Sequence, residues 1–139
     1  MTTALIVVAV VVGLLALLVL VPRILMILRG SRLKGKPAPI VYKPSAKRIK
    51  SGAPTVLYFH TPTCRACAAQ DPVIRRVQKR HPDAIFKVNA KTHRQAASAY
   101  GVMGVPFLAF IRDGTVVSAK AGVQQESSIT AFLGTRRRG

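Results

Sequence analysis

Two cysteines are the only thiols in this chain, and they stand three positions apart in Cys64-Arg65-Ala66-Cys67. Just before them, Thr55-Val56-Leu57-Tyr58-Phe59 is a continuous β-prone run, suited to a strand buried on both faces. His60-Thr61-Pro62-Thr63 reads as a turn, and a helix is expected from Cys64 to about Arg80. A thiol at a helix start faces unpaired backbone N–H groups and the positive end of the helix dipole, and both favour thiolate over thiol. Arg65 adds a fixed positive charge beside it. The i, i+3 spacing brings Cys67 onto the same helix face, within reach of the first sulfur. Thiol–disulfide exchange needs this arrangement: an exposed outer sulfur attacks, a mixed disulfide forms, and the inner sulfur releases it. Cys64 is therefore expected at the surface and Cys67 one turn inward and buried.

Other uses of two cysteines fit less well. A zinc site wants four ligands, and His60, His81 and His93 show no paired metal spacing. Ala68 follows Cys67 where covalent haem attachment would require His. A single pair is no disulfide framework for a small secreted domain. No metal, flavin or nucleotide motif is present, so no cofactor is expected and electrons must arrive from another protein.

A second motif sharpens the reading. Tyr100-Gly101-Val102-Met103-Gly104-Val105-Pro106 precedes the apolar run Phe107 to Ile111, and Asp113-Gly114 is a strong hairpin turn signal. With Cys64-x-x-Cys67 at a strand-to-helix turn and Pro72 eight residues after the first Cys, these segments resemble the thioredoxin family. The resemblance implies an α/β domain in which a mixed sheet carries helices on both faces. It also implies that Pro106 is cis beside the cysteine pair, and that the backbone of Val105 pairs with a substrate's chain as an added strand. Protein disulfides are the implied substrates, and another protein the implied electron donor.

The departures from the family are specific. Arg65-Ala66 replaces the usual Gly-Pro, Thr63 replaces the Trp before the first Cys, and the family's first strand and helix are largely missing or shortened. Tyr58 stands where the family has a buried Asp that helps deprotonate the second thiol, while the accompanying Lys survives as Lys87. Arg65 and Lys87 are thus the charges expected to tune the thiols. Without a carboxylate at position 58, proton transfer to and from Cys67 must use water or another route.

The remaining elements follow from pattern. Ile40-Val41-Tyr42 is expected as a short edge strand, with a helical turn within Lys43 to Ser51. Val73, Ile74 and Val77 give the cysteine helix an apolar side, leaving Arg75, Arg76, Lys79 and Arg80 to face water. Ala84 to Val88 is a strand, and Thr92 to Tyr100 a polar helix capped by Thr92. Thr115 to Ala121 returns antiparallel to the preceding strand, and Gln125 to Leu133 forms a last helix. Phe107, Phe110 and Phe132 are expected in the core.

Ahead of all this, Ala4 to Val21 is unbroken apolar sequence, about 27 Å long as a helix and so close to the thickness of a bilayer's hydrocarbon. It lacks the basic start and small-residue cleavage site of a signal peptide, and it lacks the polar stripe of a core helix. One N-terminal transmembrane helix is expected, with residues 1–28 as anchor, 29–39 as basic juxtamembrane linker, 40–134 as the domain and 135–139 as a basic tail. The chain carries 22 Lys and Arg against four Asp and Glu, a net charge of +18. Nine of these bases, from Arg23 to Lys50, follow the apolar run closely and none precedes it. That bias places the N-terminus outside and the domain in the cytoplasm, against anionic lipid headgroups. Nucleic acid is the less fitting partner for the charge. A membrane-surface adaptor and an extracytoplasmic oxidase or isomerase are the rival functions.

Overall fold

The computed structural model describes residues 1–134, apart from the side chains of residues 26–31. The basic tail assigned to 135–139 lies outside the described residues. The order of elements is α1 (Thr2–Ser31), α2 (Lys43–Lys50), β1 (Thr55–His60), α3 (Arg65–Arg80), β2 (Ile85–Asn89), α4 (Arg94–Ala99), β3 (Phe107–Arg112), β4 (Thr115–Ala121) and α5 (Glu126–Gly134).

The four strands form one sheet in the order β2-β1-β3-β4. β1 pairs parallel with β2 and antiparallel with β3, and β3 pairs antiparallel with β4. β1 and β3 are therefore central, which explains why Thr55 to Phe59 and Phe107 to Ile111 are buried without alternation. The parallel β1–β2 pair requires a crossover, and α3 provides it. The β3–β4 hairpin turns at Asp113-Gly114, both with positive φ (51° and 68°), the conformation that two-residue turns select.

Each sheet face has its own core. On one, Val56, Tyr58, Leu108 and Phe110 pack with Ile74 and Val77 of α3 and Ile129 of α5. On the other, Leu57, Phe59, Phe107, Ala109 and Ile111 pack with Ile49 of α2, Ala96 of α4 and Tyr100. The mixed sheet with helices on both faces is the architecture expected from the sequence. Phe107 and Phe110 are buried, and Phe132 packs at the edge of the core that holds Phe110 and Ile129.

Several local expectations change. Ile40 to Tyr42 is not a strand. Pairing instead occurs earlier, where Gly35 N–H donates to Val116 O (2.8 Å), Val116 N–H to Lys36 O (2.9 Å) and Ala38 N–H to Gly114 O (2.7 Å). Pro37 and Pro39 have no N–H to donate, which confines this strap to a single bridge between Pro37 and Thr115. It nonetheless covers the start of the outer edge of β4, which would otherwise be open to other chains. Residues 43–50 form two helical turns with Pro44 at the start, where a missing N–H costs nothing. α4 begins at Arg94 with His93 as the N-cap residue and no side-chain cap; Thr92 Oγ1 donates instead to Asn89 O (3.3 Å). Arg76 and Arg80 are exposed, but both reach Glu126 of α5, at 2.7 and 3.1 Å. They tie two helices together rather than only facing water.

α1 is long and apolar enough over Thr2–Leu25 to cross a membrane, and none of that stretch is buried by the rest of the chain. A membrane span and a signal sequence share these features.

Candidate active site

The strand-to-helix junction builds the site. β1 ends at His60, and Cys64 is the N-cap residue of α3, extended at φ −89°, ψ 115°. Its sulfur accepts the Cys67 N–H at 3.1 Å, one of the donors that a helix start leaves unpaired. The Cys64 thiol in turn donates to Val105 O at 3.5 Å. Both cysteines are free thiols; Cys64 is half-buried and Cys67 is 3% exposed. Burial above all, with a hydrogen bond and charge from Cys64, pushes the Cys67 thiol up from its ordinary value against the pull of the Thr61 and Tyr58 hydrogen bonds.

The Val105–Pro106 peptide is cis. Pro106 is tied to the chain after β4 by Gly122 N–H donating to its carbonyl at 2.8 Å. That chain is held in turn by Gln70 of α3, a fully buried amide whose Nε2 donates to Gln124 O (3.2 Å) and whose Oε1 accepts the Gln124 N–H. Gln70 thus fixes the far wall of the site through three residues of backbone. Sequence reasoning passed over it, although a lone Gln three residues after Cys67 falls on the same helix face as the second thiol.

Beneath Cys67 lies a polar cluster. Tyr58 is fully buried, and its hydroxyl lies 3.1 Å from Asp71 Oδ1 and 3.3 Å from Cys67 O. Lys87 Nζ of β2 is 3.2 Å from the same Asp71 oxygen, and His60 stacks on the Tyr58 ring at 5.4 Å. A carboxylate is therefore present in the cluster after all, one phenol away from the second cysteine. It comes from α3 rather than from β1, four residues after Cys67, and position 58 meets it with a hydroxyl. Desolvation alone would raise the Asp71 carboxyl, but hydrogen bonds from Lys87 and Tyr58, with the charges of Lys87 and His60, hold it below the usual carboxylate range. Burial first, then Asp71 and Cys67, keep the Tyr58 phenol well above its ordinary value, so it stays neutral. His60 is shifted down, by desolvation and then by Lys87.

Among the residues expected to act, Cys64, Cys67, Val105 and Pro106 converge on one spot. Arg65 is exposed at the first helical position, and Lys87 sits at the base of the cluster, bonded to Asp71 rather than to a thiol. Asp71 and Gln70 are the site residues that the sequence reading missed. Asp71 was legible only as one of four acids in a very basic chain.

A dithiol at a strand-to-helix junction, facing a cis-proline loop on a four-stranded mixed sheet, defines a thioredoxin-fold redox protein. Residues 42–135 match the Thioredoxin family model, and the chain belongs to that family. Monothiol glutaredoxin-S17 of Arabidopsis thaliana is 33% identical over 97 residues, 68% of this chain and 20% of that protein. Mitochondrial thioredoxin of Mus musculus is 32% identical over 87 residues, 61% of this chain and 52% of that protein. The chain thus spans a fifth of the first relative and about half of the second. Among solved structures, Fasciola hepatica thioredoxin superposes with a TM-score of 0.55 at 26% identity, covering 63% of this chain and 83% of that one.

Proposed function

We propose that this chain is a membrane-tethered thiol–disulfide oxidoreductase that reduces protein disulfides, with Cys64 attacking and Cys67 resolving. The observation that carries the reading is the asymmetry of the pair. The Cys64 sulfur is half-buried, capped by the Cys67 N–H and set beside the Val105 carbonyl, whereas Cys67 is 3% exposed behind it. A partner disulfide can reach only the first sulfur, and the second is placed to displace the partner from the mixed disulfide. The Val105 backbone at Pro106 is positioned to pair with an extended partner segment, and the exposed Met103 and Val123 offer apolar contact nearby. The charges assigned to tune the pair are Arg65, exposed at the start of α3, and Lys87, which holds Asp71 against Tyr58 beneath Cys67. Electrons come from a protein donor.

The apolar length of α1 and the bases from Arg23 onward support an anchor with the domain on the cytoplasmic side, against anionic lipids. In that reducing setting the pair acts as a reductase. The test is trapping in cells. The full chain carrying Cys67→Ser will accumulate mixed disulfides with partner proteins, and Cys64→Ser will accumulate few. Equal trapping by both would reverse or abolish the assignment, and a reporter fused after Gly139 reads the orientation.

A further inference from the structure

Cys67 must lose a proton before it can resolve a mixed disulfide, yet it is buried, and burial favours its protonated form. Where that proton goes is a question of geometry. The Tyr58 hydroxyl lies directly under Cys67, 3.3 Å from its carbonyl oxygen and close enough to influence its thiol, and 3.1 Å from Asp71 Oδ1 on the other side. Tyr58 has no exposure, whereas the Asp71 side chain is 29% exposed. Thiol, phenol and carboxylate therefore form a line from the interior to water. The charged and titratable groups facing this line are Lys87 from β2, His60 from the end of β1 and Cys64 from the start of α3.

We propose that Tyr58 and Asp71 form the proton route of Cys67, the phenol as a two-way carrier and the carboxylate as its outlet to solvent. The inference rests on Cys67 being the resolving thiol. In the mixed disulfide of Cys64 with a partner, the Cys67 S–H bond breaks and its proton joins the Tyr58 oxygen. The Tyr58 O–H bond breaks in the same event and its proton joins Asp71, which hands it to water. The Cys67 thiolate then attacks the Cys64 sulfur. The Cys64–Cys67 disulfide forms, the partner's sulfur leaves as a thiolate and takes a proton from water, and the two electrons have passed from the dithiol to the partner. The phenol ends as it began, neutral.

The surroundings suit these roles. A phenol held well above its ordinary range passes a proton on without remaining ionised. A carboxyl held below its usual range by Lys87 and Tyr58 keeps a proton only briefly, so the outlet resets at neutral pH. Lys87 is a positioning residue here, keeping Asp71 ionised and aimed at the phenol. The strand position 58 and the helix position 71 thereby divide between them the work of one buried acid.

A single-turnover measurement on the full chain in detergent micelles tests the route. Reduced protein attacks an aromatic disulfide such as dithionitrobenzoate, releasing one coloured thiolate as Cys64 is labelled and a second as Cys67 displaces the label. Tyr58→Phe and Asp71→Asn, which keep shape, should slow the second release about a hundredfold or more near pH 7, the scale of lost proton-transfer catalysis, and should slow the first release far less. In alkaline buffer, where Cys67 ionises unaided, their second release should converge on the wild-type rate. Asp71→Glu should restore part of the loss. Unchanged second-release rates in both variants, or a loss that persists equally at every pH, would overturn the relay. If the wild type released only one equivalent, Cys67 would not be the resolving thiol, and relay and parent reading would fall together.

Discussion

Asp71 has three neighbours that all favour its charge, the Lys87 ammonium at 3.2 Å, the Tyr58 hydroxyl at 3.1 Å and, further off, His60. Its carboxyl therefore titrates below the roughly 3.9 of an unfolded aspartate. A folded state that binds a proton less readily than the unfolded chain gains stability above the unfolded value and loses it as pH falls through the folded one. The wild type should accordingly melt higher than Asp71→Asn at pH 7, and the gap should narrow steadily below about pH 4. A gap independent of pH would mean that the carboxylate charge contributes nothing to the fold. Arg65 makes a separate prediction at this scale. If its charge tunes the pair as proposed, Arg65→Gly should lower the potential of the pair. The exposure of Arg65 makes about 20 mV an upper limit, since that corresponds to roughly 1 kcal/mol in a two-electron couple and exposed charges are screened. Equilibration against glutathione reads the shift, and an upward change would refute the argument.

The unit that matters at the next scale is α3, which carries Cys67, Gln70 and Asp71 in five consecutive residues and aims them at three different partners. Gln70 holds the segment after β4, and Gly122 in that segment holds Pro106. Gln70→Leu would fill the volume but leave the Gln124 N–H and C=O without their partner. A buried donor or acceptor left unsatisfied costs about 1–3 kcal/mol, so denaturant midpoints should fall by that order. Disulfide reduction should slow as well, because the wall beside Pro106 loses its tether. A variant as stable and as active as the wild type would show that the Gln124 backbone finds another partner at no cost.

For the whole molecule, the strap along β4 has a mechanical consequence. Gly35 to Ala38 is hydrogen-bonded to the sheet, and Leu33 packs against the core. Only a short piece of chain therefore separates the described contacts of the domain from the apolar helix. With the proposed anchor, the domain works at the bilayer surface and meets partners there. The full chain should stay with membranes through an alkaline carbonate wash, and a chain beginning at Leu33 should be released to the soluble fraction with its dithiol still active. Recovery of the full chain in soluble form, shortened at its N-terminus, would identify α1 as a cleaved signal instead.

Much of this was legible in the residues themselves. Cys64-x-x-Cys67 after a β-prone run, Pro72, and the Val105-Pro106 segment before a hairpin encode local structure, and local structure obeys short-range rules of helix starts, turns and strand pattern. The two buried strands, the Asp113-Gly114 turn and the crossover helix follow from the same rules, and so does the apolar span. The pairing of Gly35 to Ala38 with β4 joins residues about 80 apart, and no periodicity announces such a contact. Glu126 reaching Arg76 and Arg80, and Gln70 reaching Gln124, are likewise products of the packed helices. Above all, with Tyr58 in place of an acid, the sequence left the proton of Cys67 to water or another route. Only folding brings Asp71 of α3, Lys87 of β2 and the phenol of β1 within hydrogen-bonding distance, because a carboxylate can be supplied to a buried cluster from any element that packs against it.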